Sequence, residues 1–213
     1  MIRALLSAGL RSVAIVCCVA ATGTGCGRPD AVTAAGTDVD SLIVSLDDVR
    51  RIANLQDLNQ YSHGDADRPG NEDADAPEPC RSVYDQQVAF GSDWRQFRTV
   101  TYNALVSASH GAPAKMYVVT QAVGIYPDGS AARAAFDRLA PALTACSELR
   151  RKYYDFTVSR QDPATVALDY PEGQSKVVYR VKSTALIDIV VQGFSQSERI
   201  AATTLQTIAD RIA

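Results

Sequence analysis

A chain of 213 residues, 46% hydrophobic, is long enough for one domain with its own core. Its formal charge of −3 excludes the basic footprint that nucleic-acid binding needs, and no basic run forms a polybasic lipid-binding patch. The short "ELRRK" at 148–152 carries its own glutamate.

The first 25 residues read as a lipoprotein signal peptide. Arg3 and Arg11 are the only charges before Arg28, and "SVAIVCCVAA" is an apolar block too short to span a bilayer, which takes roughly 20 residues. Within it Cys17 and Cys18 act as small hydrophobes. The small residues Gly23, Thr24 and Gly25 then lead into Cys26, as in the lipobox of bacterial lipoproteins, although Gly23 stands where Leu or Val is usual. On this reading Cys26 becomes the first mature residue and carries the lipid. The competing reading is an ordinary secreted protein cleaved nearby. A metal site is disfavoured, because the cysteine spacing lacks paired ligands and no histidine precedes His63. Loss of Arg3 and Arg11 with the signal brings the charge to about −5.

Residues 26–40 are small and polar and read as a flexible tether, with a reach of roughly 20 Å for about 14 residues. The domain is expected over 41–213. Ser45 and Asp48 make a capping-box-like start to a helix, and Val49, Ile52 and Ala53 form its apolar stripe. Residues 62–80 are acidic and loop-like. Asp65, Asp67 and Gly70 open like a calcium loop, but Pro69 and Ala76 break the pattern, leaving a solvated mobile loop. "CRSVYDQQVAF" then reads as a short helix.

Strands are expected at 97–106 and 115–126, joined by the turn "SHGAP". A long helix follows, with Phe136, Leu139, Leu143 and Cys146 on one face and Pro141 interrupting it. Four closely spaced strands come next, at 153–159, 165–170, 176–182 and 185–194; short turns between them favour antiparallel hairpins. In the last, Asp188 and Gln192 face away from Ile187, Ile189 and Val191. The chain closes in a helix with Ser195 and Glu198 as its capping box. The class is α+β: an antiparallel β-sheet flanked by helices. Outside the cytoplasm, and with Cys26 lipidated, Cys80 and Cys146 have only each other, giving one intradomain disulfide.

The order of these pieces resembles the PknH-like extracellular sensor domain, known from a mycobacterial Ser/Thr kinase and from mycobacterial lipoproteins. The resemblance runs over 42–213. It rests on "LIVSLDDVRRI", Cys80 before "GSDWRQFR", "VTQAVGIYPDGSAARAAFDRL", Cys146, "ALIDIVVQGF" and the terminal helix. It implies a sheet flanked by helices and a solvent-filled cleft for an unidentified ligand. Relatives often carry a second disulfide; here Gln192-Gly193 stands where they read Cys-Gly, and both of its cysteines are absent.

No Gly-x-Ser-x-Gly, His-Glu-x-x-His or Walker A sequence occurs, and His63 and His110 both lie in loop-like stretches. No catalytic residue, metal ligand or cofactor is therefore assigned, and the chain reads as a non-enzyme. The expected role is a lipid-anchored envelope protein on the outer face of the membrane that binds a small molecule or envelope component as a sensor or carrier. The alternative is a protein-interaction or scaffold module with an envelope protein partner. Trp94, Tyr102 and Tyr117 are the expected cleft contacts, against the competing reading that they pack in the core.

Overall fold

The computed structural model describes residues 38–213 except 74, 108–112 and 174. Cys26, the signal segment, most of the expected tether and His110 lie outside the described residues. Six helices and seven strands are described. α1 is Val39–Leu42, α2 Leu46–Ala53, α3 Arg81–Tyr84, α4 Gln86–Phe90, α5 Gly129–Glu148 and α6 Ser197–Asp210. β1 is Asn59–Gln60, β2 Gln96–Val106, β3 Lys115–Ile125, β4 Thr157–Asp162, β5 Thr165–Asp169, β6 Ser175–Lys182 and β7 Ala185–Gln192.

All seven strands form one antiparallel sheet in the order β1-β2-β3-β7-β6-β5-β4. β2 and β3 form a full-length hairpin, Gln96 opposite Ile125 and Val106 opposite Lys115. β4 to β7 form a meander whose last strand returns to pair with β3, Val123 opposite Ile187. The expected α+β architecture is thus present, with β1 added at the edge. β4 starts at Thr157, four residues later than expected, since Tyr153 adopts φ 77° and Tyr154 turns aside.

Side chains alternate between two covered faces. On one, Val100, Val119, Ile187, Ile189 and Val191 pack against α1, α2 and α6. On the other, Leu168, Val177, Tyr179 and Leu186 pack against α3 and α5. Seven of the eight residues of β7 are buried, so the strand is dry on both faces.

The helix signals are partly as expected. The Ser45 hydroxyl accepts from the Asp48 N–H at 3.2 Å and starts α2. Asp128 accepts from the Ala131 N–H at 2.9 Å and starts α5, which continues through Pro141. The expected capping box at Ser195 is not used. α6 begins two residues later, and the Ser197 hydroxyl donates instead to the Gly173 carbonyl at 2.7 Å. The single helix expected at 80–90 is split by Asp85, which caps α4 through the Val88 N–H. The globular part also starts earlier than residue 41, since Val39 is buried.

At Gly193 the chain leaves β7 with φ +87°, and a Cβ there would lie 2.1 Å from the Met116 carbonyl oxygen. Only glycine passes this point without displacing β3.

Cys80 and Cys146 are bonded, with Cα atoms 4.7 Å apart, tying the turn before α3 to the buried face of α5. The bridge spans 66 residues, and on chain-entropy grounds its removal costs about 4 kcal/mol. Peptide mapping of exported protein without reductant should recover the linked pair, and a double serine variant should unfold at correspondingly lower denaturant. Two alkylatable thiols in the exported protein would contradict the bridge.

Candidate ligand-binding cleft

Helix α5 covers only part of its face of the sheet. Nearer β2 its border is formed instead by residues 61–72, which run along the outer edge of β2, where Tyr61 donates to the Thr101 carbonyl, and then cross to α4. Ala66 bridges Thr99 through bonds of 3.1 and 2.9 Å, Asp65 pairs with Arg98, and the Gly70 carbonyl accepts from the Gln87 N–H at 3.0 Å. The segment expected to be a solvated loop is therefore fixed along the edge of β2 by backbone bonds and an ion pair. Tyr154 donates to Asp73 and secures its far end.

Between this segment, α3, α4 and the sheet lies a cleft of about 360 Å³, within the usual range for small-molecule sites. Its floor is the sheet: Thr99 and Thr101 from β2, Val118 and Thr120 from β3, and Asp188, Val190 and Gln192 from β7. Its walls include Tyr61, His63 and Glu72 from the crossing segment, and Val83, Tyr84 and Gln86 from α3 and α4. Most of the polar groups are paired. The Gln86 amide donates to the Thr99 hydroxyl at 3.1 Å and accepts from the Gly70 N–H at 3.3 Å. The Thr101 and Thr120 hydroxyls share a bond of 2.9 Å, and Tyr84 and Tyr170 share one of 2.7 Å.

Asp188 is the exception. It is 4% exposed, and its Oδ1 has no hydrogen-bond partner in the protein. Its cross-strand neighbours are Ala122 and Tyr179. The Tyr179 hydroxyl is committed elsewhere, donating to the Val83 carbonyl at 2.8 Å. Burial without a counter-charge raises the Asp188 pKa to about 8. The same desolvation raises the pKa values of Tyr84, Tyr170 and Tyr179, and the Asp188 charge adds to each.

A PknH-like extracellular domain model matches residues 34–211. The chain belongs to that family. The crystal structure of the extracellular domain of PknH from Mycobacterium tuberculosis is similar, with a TM-score of 0.58 and 15% identity over 81% of this chain and 93% of that one. At that identity the likeness is one of fold. No curated protein matches the chain.

In this PknH-like domain the three aromatic residues expected at the cleft do not meet there. Tyr102 is on the opposite face, buried, and donates to the Val44 carbonyl at 3.0 Å. Tyr117 is also on that face, beside Phe194 with ring centres 4.9 Å apart, in a smaller recess with Lys115 and Arg199. Trp94 stacks near Phe97 and donates to the Gly91 carbonyl at 3.0 Å, bordering shallow surface recesses. Strand parity explains the misplacement: Tyr102 and Tyr117 alternate with the residues that form the floor. The signal that marks the cleft is the polar stripe of Thr99, Thr101 and Thr120. Asp188 does face away from Ile187 and Ile189, as expected, but into a covered face. Among the described residues no group of three or more His, Cys, Asp or Glu is arranged to hold a metal, and none of their helices is long and apolar enough to cross a membrane.

The Asp188 carboxyl binds its proton more tightly in the folded chain than in the unfolded one. Its contribution to stability is complete below pH 4, declines as the pH rises and is lost above about 8. The decline amounts to about 1.4 kcal/mol per pH unit between those limits. Asp188→Asn has no such proton to lose. Between pH 5 and pH 8 the stability of the variant relative to wild type should therefore rise by about 3–4 kcal/mol in urea denaturation. An unchanged difference at the two pH values would refute the buried, unpaired carboxyl.

Proposed function

We propose that this PknH-like domain is the non-catalytic, ligand-binding module of an envelope lipoprotein, held at the outer face of the membrane by lipid on Cys26. The observation that carries the reading is the cleft itself, with a sheet floor on which one buried acid, Asp188, is left without a counter-charge. Buried polar groups are ordinarily hydrogen-bonded, and a molecule held in the cleft would give the Asp188 carboxyl a partner that the protein does not supply. The family's extracellular setting supports a sensor or carrier role. A single leaflet anchor spans nothing, so a signal from the domain would pass through a partner protein or by transfer of the ligand.

A second reading, a protein-interaction module, draws on Leu105 and Met116. They are paired across the β2–β3 hairpin and are 66% and 51% exposed. The cleft is the better-built feature, and it favours the first reading.

Thermal-shift and native mass spectrometry of the chain with envelope lipids and muropeptides test the proposal. Stabilisation by one class, with that molecule retained in the mass spectrum, is expected. Binding to none, together with reproducible capture of one envelope protein, would favour the interaction module. Cys26→Ala should release the protein from membranes; a variant as membrane-bound as wild type would refute the anchor.

A further inference from the structure

Within the proposed binding role, and resting on it, the character of the cleft points to a ligand class. Its acidic lining residues are Asp188 and Glu72; His63 also lines it, and neither lysine nor arginine does. Asp188 lies on the floor, buried and with Oδ1 unpartnered, while Glu72 is exposed on the crossing segment. Tyr61 and Tyr84 add aromatic rings to the wall, surfaces that favour cations over anions. The threonine and glutamine groups are largely occupied with one another, so the strongest unmet demand in the cleft is that of a carboxylate for a positive charge.

We infer that the cleft is a site for an organic cation, a primary ammonium group on a short apolar stem, with the ammonium on Asp188 and the stem against Val118 and Val190. The volume admits a ligand of small metabolite size. An anion would meet Asp188 and Glu72 with neither lysine nor arginine to balance them, and a neutral ligand would bring no charge to favour the ionised form of Asp188.

Binding should displace the Asp188 proton to solvent, because an adjacent cation favours the ionised carboxyl. The titratable groups around Asp188 are Tyr179 on β6, Tyr170 before β6 and Tyr84 on α3, all with raised pKa values, together with His63 and Glu72 on the crossing segment. The tyrosines stay neutral through pH 8. The Asp188→Asn variant separates the contribution of Asp188 from that of every other group.

The test uses the full chain with three probes matched in length: n-butylammonium, 1-butanol and butyrate, followed by NMR shift perturbation. Butylammonium should bind at least tenfold more tightly than butanol, and butyrate more weakly than either. Its affinity should rise by up to tenfold per pH unit from pH 6 towards 8 and then level. Asp188→Asn should reduce the preference for butylammonium over butanol by about tenfold and remove the steep pH dependence. Glu72→Gln, at an exposed position with little bearing on folding, should give a smaller loss in the same direction. Equal binding of butanol or butyrate, or an Asp188→Asn variant with undiminished preference, would overturn the cation inference while the cleft reading stands. Binding of none of the three would also overturn it, and the envelope-ligand screen then judges the cleft reading independently.

Discussion

The domain depends on β7 being dry on both sides. Paired with β3 and β6, packed against α6 on one face and against α5 and the cleft on the other, the strand supplies buried apolar side chains in both directions, and Leu186 to Val191 does so at every position but one. A fully buried central strand fixes the register of its neighbours, because a slip of one residue would move every side chain to the other face. It also makes any polar residue on that strand costly unless it is paired.

Two buried polar side chains near the sheet centre show how differently that cost is met. Gln121 on β3 is fully buried and bonds the Val44 backbone in both senses, accepting from its N–H at 2.8 Å and donating to its carbonyl at 2.8 Å. Tyr102 donates to the same carbonyl. Together they latch the segment between α1 and α2 onto the sheet, and Arg211 closes the far side by donating to the Ile43 carbonyl at 2.8 Å. Asp188 has no such arrangement on the opposite face. Around Val44 the first face is closed by the chain itself, whereas on the second an acidic side chain borders the cleft without a counter-charge.

Much of this architecture is legible in the sequence. Alternation and turn residues mark six of the strands, the period of Phe136, Leu139, Leu143 and Cys146 marks the face of α5, and export leaves Cys80 and Cys146 to pair. What escapes the sequence is settled at longer range. α1 and β1 are too short to carry a period. Ser195 and Glu198 satisfy the local pattern of a capping box, but Ser197 bonds Gly173 across space and the helix starts at Ser197. Aromatic residues drew attention to Tyr102 and Tyr117, which lie in or beside the core of the other face. The cleft is written instead in modest polar residues of β2 and β3 and in one acid on β7, and whether such a face is open, bordered or buried depends on where residues 61–72 run.

The chemical character of the cleft thus turns on the protonation of a single carboxyl. Carbon-13 NMR titration of the side-chain carboxyls, with Asp188→Asn to assign the signal, measures it directly. One carboxyl resonance should titrate near pH 8 and vanish in the variant, while the others titrate at acidic pH. If the Asp188 resonance titrates near the ordinary aspartate value of about 4, the carboxyl is solvated or paired, and the site described here is not the one the protein presents.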